Sequence, residues 1–223
     1  MQRIYLDHAA TTPLDPRVRR AMEPYFDARF GNPSSLHFLG QEASAAVFAA
    51  RRAIARAIGA TDYREIIFTG SATEANNLVL RGVAGQHADR RNFPFRPRII
   101  ISAIEHESIM ETARDLKSYG VEVVVVPVLR NGIIDCAALA KALNRRTILV
   151  SVMYANNEMG AIQPIGEIGK IIQEFRARGS LNSHDRIIYP LFHTDAVQAL
   201  PYLSLNVNEC GADFLTLSAH KVY

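Results

Sequence analysis

Short runs of β-branched and aliphatic residues recur along this chain, and stretches of helical period separate them. Residues 65–69, 98–103, 122–128, 147–153, 187–193 and 213–217 read as short buried strands. Residues 43–58, 73–83, 108–119, 136–143 and 165–178 read as helices. The period is plainest in 43–58, where Val47, Ile54 and Ile58 fall on one side and Arg51, Arg52 and Arg56 elsewhere. This alternation predicts an α/β fold in three layers, a mainly parallel sheet with helices on both faces. The strands are too apolar to leave either face to water. Residues 87–97 and 179–185 read as surface excursions between a helix and the next strand. No internal repeat, low-complexity tract or linker interrupts the pattern.

Composition narrows the setting. At 223 residues and 48% hydrophobic, the chain can bury a sizeable core. Its net charge of +3 comes from scattered basic residues such as Arg17, Arg19 and Arg20, a solvated surface rather than a nucleic-acid footprint. The two cysteines, Cys136 and Cys210, make no disulfide framework and suit a reducing compartment. The first residues carry no long apolar stretch, and the most apolar run, 121–128, contains Glu122 and Pro127. Neither a signal peptide nor a membrane span is expected, and the cytoplasm is the expected address.

Parallel sheets hold their ligands beyond the carboxyl ends of the strands, so the residues there carry the chemistry. Gly70-Ser71-Ala72-Thr73-Glu74 leads into a helix. Small residues and the open N–H groups of a helix start make a phosphate cradle, although Ser71 or Thr73 would also serve as an ordinary cap. His106 follows the next strand. His106-Glu107 opens like a zinc motif, but Met110 stands where a second histidine is needed. Asn156-Asn157 could cap a turn, or one amide could bond a ligand oxygen. Asp195 could be a helix cap or the partner of a ligand cation. Lys221 could be a solvated amine or, in a partly desolvated cleft, a Schiff-base former. Together these place a phosphate cradle, an imidazole, an amide, a carboxylate and an amine on one rim, the set a flat aromatic aldehyde phosphate requires.

Ile4-Tyr5-Leu6-Asp7-His8-Ala9-Ala10-Thr11-Thr12-Pro13 resembles the opening of NifS/IscS-type cysteine desulfurases. So do Gly31-Asn32-Pro33-Ser34-Ser35, Phe68-Thr69-Gly70-Ser71-Ala72-Thr73-Glu74, Glu105-His106, Asn131-Gly132-Ile133-Ile134-Asp135, Asn156-Asn157-Glu158-Met159-Gly160, His193-Thr194-Asp195-Ala196-Val197-Gln198 and Ser218-Ala219-His220-Lys221. The resemblance runs in order over nearly the whole chain. It implies a fold-type I pyridoxal 5'-phosphate (PLP) enzyme of the class-V aminotransferase group. Ala72 and Thr73 would bind the cofactor phosphate, with Ser218 and His220 assisting. His106 would stack on the ring and take part in proton transfer, and Asn157 and Gln198 would bond the ring hydroxyl. Asp195 would pair with the ring nitrogen, Lys221 would hold the cofactor covalently, and Asn32 would lie near the substrate. Residues 1–20 would pack with a second, smaller domain, and 21–223 would form the cofactor-binding domain, incomplete at its C-terminal side.

The implied reaction takes sulfur from L-cysteine, giving L-alanine and a persulfide on a separate cysteine. A sulfur acceptor or scaffold protein in iron–sulfur cluster assembly or tRNA thiolation would receive it, and the enzyme would be a homodimer. Neither cysteine of this chain is expected to be that nucleophile. Cys210 precedes the last strand, and five strand residues span about 17 Å. Cys136 starts a helix with no base nearby in sequence. The 223-residue chain alone is therefore expected to be inactive and marginally stable. Two other readings remain open: another class-V PLP enzyme, such as an aminotransferase or selenocysteine lyase, and an inactive binding fragment of the PLP fold.

Overall fold

A computed structural model describes residues 4–87, 95–179 and 189–223. The chain divides into two compact units. One holds residues up to Phe68 together with Ser204–Asn206 and Ala219–Tyr223; the other holds Thr69–Leu203 and Val207–Ser218.

The second unit contains the sheet. Its strands are β1 (Arg98–Ser102), β2 (Glu122–Val126), β3 (Thr147–Ser151), β4 (Leu191–Asp195) and β5 (Phe214–Thr216), in the order β2-β1-β3-β4-β5. All four pairings are parallel. The chain leaves β1 toward one edge and returns through β3 toward the other. The strand order therefore reverses between β1 and β3, where a sheet of this kind opens a crevice at its carboxyl rim.

Helices cover both faces. On one side α4 (Ala72–Gln86) and α5 (Glu107–Ser118) bring Leu80, Val83, Ile109, Ala113 and Leu116 against Ile99, Ile101 and Leu149. On the other, α6 (Cys136–Ala142) and α7 (Ile165–Gly179) bring Leu139, Ile165, Ile168 and Ile172 against Ile100, Val126, Val150 and Phe192. The period-two alternation of β1 splits its isoleucines between the two cores. Burying each such side chain contributes about 1.5–3 kcal/mol. A short helix, α8 (Val207–Cys210), precedes β5, and Cys210 joins the second core.

The first unit is helical: α1 (Pro16–Met22), α2 (Pro24–Asp27) and α3 (Phe38–Ala57). Asp15 caps α1 through the Arg17 N–H, and Pro16 supplies the preset first-turn geometry. The expected apolar face of 43–58 is only partly realised. The buried residues of α3 are Gly40, Ala43 and Ala55, whereas Val47 stays exposed. Small residues win because backbone approaches the helix closely: a Cβ on Gly40 would lie 2.2 Å from the Ser35 carbonyl oxygen.

The strand expected at 65–69 does not form. Tyr63–Glu65 is a 3-10 turn, and the extended backbone after it joins no ladder. Ile67 and Phe68 remain 68% and 51% exposed. A β-branched run becomes a strand only beside a backbone with free N–H and C=O groups, and no described segment supplies one. β4 starts at Leu191 and ends on Asp195, two residues beyond the predicted end. Residues 88–94 and 180–188, which include most of both expected excursions, lie outside the described residues. No described helix is long and apolar enough to cross a membrane.

Candidate cofactor site

α4 begins with a reciprocal cap. Ser71 Oγ accepts the Glu74 N–H at 3.1 Å, and Glu74 Oε2 accepts the Gly70 N–H at 2.6 Å. The cap alternative for this segment is thus realised. Ser71 is the cap, and the Ala72 and Thr73 N–H groups, next in the first turn, make no hydrogen bond among the described residues. They form an anion-accepting end on a 15-residue helix.

One turn further along α4, Asn76 reaches the sheet. Its Nδ2 donates to Asp195 Oδ2 at 2.8 Å and to Ser108 Oγ at 2.9 Å. Asp195 ends β4 and is 5% exposed; its Oδ1 accepts the Val197 N–H at 3.0 Å. No described cation pairs with this carboxylate. A buried carboxylate held by two neutral donors is suited to a cationic ligand atom.

His106 is the N-cap of α5, just beyond β1. Its Nδ1 accepts the Ser108 N–H at 3.1 Å and lies 2.8 Å from Ser108 Oγ. Behind it, Glu105 joins the ends of β1 and β3. Its Oε1 accepts from Ser102 Oγ and, at 2.8 Å, from the Met153 N–H. Burial, reinforced by the nearby Asp195 charge, pushes the Glu105 carboxyl up to about 8, so it is a neutral acid at pH 7. The amide pair after β3 divides its work. Asn156 Oδ1 takes the Glu158 and Met159 N–H groups, and its Nδ2 donates to the Ile104 carbonyl. The Asn157 side chain makes no hydrogen bond among the described residues.

Under the rim, His193 bridges three strands, with Nδ1 2.9 Å from Ser151 Oγ and Nε2 3.0 Å from Thr216 Oγ1. Burial lowers its pKa to about 4, opposed by Asp195, so the ring is a neutral staple. Gln198 sits in the turn after Asp195, and buried Ser218 follows β5 by two residues.

The sheet unit therefore brings together Ala72, Thr73, His106 and Asp195 through Asn76 and Ser108, with Asn157, Gln198 and Ser218 at the ends of neighbouring strands. The other predicted residues belong to the first unit. Lys221 is half-buried in a 3-10 turn, Ala219–Lys221. That turn is tied to the N-terminal segment: the Thr12 N–H and hydroxyl both donate to the His220 carbonyl at 3.0 Å, and His220 Nδ1 lies 3.1 Å from Thr11 Oγ1. Asn32 is exposed and its Oδ1 accepts the Ser34 N–H, holding its own turn.

Neither cysteine is an exposed thiol. Cys210 is core, and burial beside Glu167 pushes the Cys136 thiol up, away from the reactive thiolate. Sequence reasoning missed Asn76, Ser108 and the bridging role of Glu105. The signal for Asn76 was present: it lies four residues before Leu80, an amide on the stripe that α4 buries.

The chain is 44% identical over 220 residues to cysteine desulfurase IscS of Dictyoglomus turgidum, covering 99% of this chain and 51% of that protein. It thus spans about half the length of the curated relatives it matches. Among solved structures, a NifS-like protein superposes with TM-score 0.88 at 34% identity, over 99% of this chain and 56% of that one. SspA in complex with cysteine superposes with TM-score 0.86 at 34% identity, over 98% and 58%. Residues 4–223 match the family described as Aminotransferase class-V, and by that match the chain belongs to the class-V aminotransferases.

Proposed function

We propose that this chain is the PLP-binding part of a cysteine desulfurase. The observation that carries the reading is Asp195: a buried carboxylate with two neutral donors and no described cation, linked by Asn76 to the helix whose first turn presents open N–H groups. An aromatic ring with a phosphate at one end and a protonated nitrogen at the other fits that pair. The Ala72 and Thr73 N–H groups would take the phosphate, with Ser218 and His220 beside it. Asp195 would keep the ring nitrogen protonated, Asn157 and Gln198 would bond the ring hydroxyl, and His106 would lie against the ring. Lys221 would hold the cofactor covalently. Bound PLP supplies an electron sink that loosens bonds at the substrate's amine-bearing carbon.

L-Cysteine is the proposed substrate, supported by the names of the relatives and by the cysteine bound to SspA. The products would be L-alanine and a persulfide passed to an acceptor protein for iron–sulfur cluster assembly or tRNA thiolation. His106 would move the proton and Asn32 would lie near the substrate. Residues 1–20 would pack with a second domain, and the whole protein would be a cytoplasmic homodimer. Exposed Phe26, Phe30 and Phe38 in the first unit support an association surface.

Adding PLP to the purified chain tests the reading. A yellow visible band that is absent in Lys221→Ala and changes with L-cysteine is expected. A chain that stays colourless, or a band that survives Lys221→Ala, overturns it.

A further inference from the structure

The bond network around Asn76 determines more than position. We propose that Asn76 and Ser108 are positioning residues that fix the tautomer of His106, placing its ring hydrogen on Nε2.

Asp195, when ionised, can only accept hydrogen bonds. The Asn76 amide must therefore turn its nitrogen, not its oxygen, toward that carboxylate. Both N–H groups of Nδ2 are then used, one on Asp195 Oδ2 at 2.8 Å and one on Ser108 Oγ at 2.9 Å. The opposite amide orientation would set Oδ1 against a carboxylate oxygen. The orientation present leaves Oδ1 buried with no described partner, so the link to Asp195 outweighs that loss.

Ser108 has one hydroxyl hydrogen. Its oxygen already accepts from Asn76, and His106 Nδ1 stands 2.8 Å away, so the hydrogen goes there. The Ser108 backbone N–H also points at Nδ1, at 3.1 Å. Two donors converge on one ring nitrogen, which can accept only while it carries no hydrogen. The neutral ring must then be protonated at Nε2, and Nε2 is the atom through which His106 can hand over a proton. The order of donors is set from Asp195 outward, through Asn76 and Ser108 to the imidazole.

The use of that proton rests on the proposed cofactor site; the tautomer itself does not. The test is therefore made without cofactor. The full chain, labelled with 15N-histidine, is examined by two-bond 15N–1H correlation at a pH where the ring is neutral, with His106 assigned by its loss in His106→Gln. A single Nε2–H form is expected. Ser108→Ala keeps the backbone donor and removes the hydroxyl, so the tautomer ratio should shift toward Nδ1–H by roughly tenfold, about one hydrogen bond's worth. Ser108→Thr, which keeps a hydroxyl, should restore it. An Nδ1–H signal in the unmodified chain overturns the proposal whether or not any variant folds, and so does a ratio unmoved in Ser108→Ala. A chain that shows the tautomer shift but stays colourless with PLP would overturn the cofactor reading alone.

Discussion

The two units are held together by different means. The sheet unit buries large aliphatic side chains on both faces, with Ile99, Ile100, Ile148, Leu149 and Phe192 all at 0% exposure. In the first unit the buried hydrophobic side chains among the described residues are Ala43, Ala55, Ile58 and Leu205, while Phe26, Phe30, Leu36 and Phe38 are exposed. One unit is stabilised by apolar area removed from water, the other by close backbone approach, caps and hydrogen bonds. The residues proposed to hold the cofactor divide along the same line. The carboxylate, the imidazole and the helix start are set in the stiff unit, and the lysine sits in the lightly packed one.

The largest test of this contrast is a pair of truncations. Phe192→Ala empties a fully buried site and should cost about 3–5 kcal/mol. Phe26→Ala removes a ring that is 75% exposed and should stay within about 0.5 kcal/mol. Chemical denaturation of both variants decides it, and equal losses would break the comparison. Gly40→Ala comes next. The added methyl would meet the Ser35 carbonyl at 2.2 Å, so overpacking should cost about 1–3 kcal/mol. Hydrogen exchange should show the loosening around 31–57 with the sheet amides unchanged.

How far the sequence reached follows the same physics. The alternation of apolar runs and helical periods predicted five of the strands, because each carries its own burial signal. It failed at 65–69, where Ile66, Ile67 and Phe68 look like a strand but have no ladder, since pairing belongs to two segments and composition to one. The rim was legible because residues after parallel strands face the crevice, which gave His106, Asn157 and Asp195. Asn76 was not, because an amide inside a helix looks like surface until the helix is docked. The placement of Glu105, with its carboxyl buried, depends on the register of β1 against β3, which no local pattern reports.

pH should separate the units as well. The carboxylates with lowered pKa in the first unit, Asp15 and Asp62, are paired with Arg17 and Arg64 at the surface, where salt screens them. The sheet unit carries the buried groups. Glu105 is raised from 4.5 to about 8, so its contribution is complete below pH 4.5 and is lost as pH rises toward 8. His193 is lowered from 6.5 to about 4, so its contribution is complete above 6.5 and is lost as pH falls toward 4. The two slopes oppose each other between roughly 4.5 and 6.5. Above 6.5 only Glu105 remains, and the melting temperature should fall toward pH 8. Glu105→Gln should flatten that limb and leave the acid limb intact; an unchanged alkaline limb would remove Glu105 as its source.

The smallest effect is expected at Thr12, where the first unit closes on itself. Its hydroxyl donates to the His220 carbonyl at 3.0 Å and accepts the Tyr223 N–H at 2.8 Å, a link across 211 residues of chain. Thr12→Val removes both bonds and keeps the shape. The site is exposed, so water replaces each partner and the net loss should be at the low end of the usual 0.5–1.5 kcal/mol for a hydrogen bond, about 0.5 kcal/mol. The global melt should barely move. The Thr12 N–H bond to the His220 carbonyl survives in the variant, so the turn should loosen rather than detach. Amide exchange at Tyr223 should therefore quicken severalfold while the Ile100 and Val150 amides stay protected. If Ile100 and Val150 quickened together with Tyr223, the Lys221 turn would open only with the sheet core, and the proposed division of stiffness would be wrong.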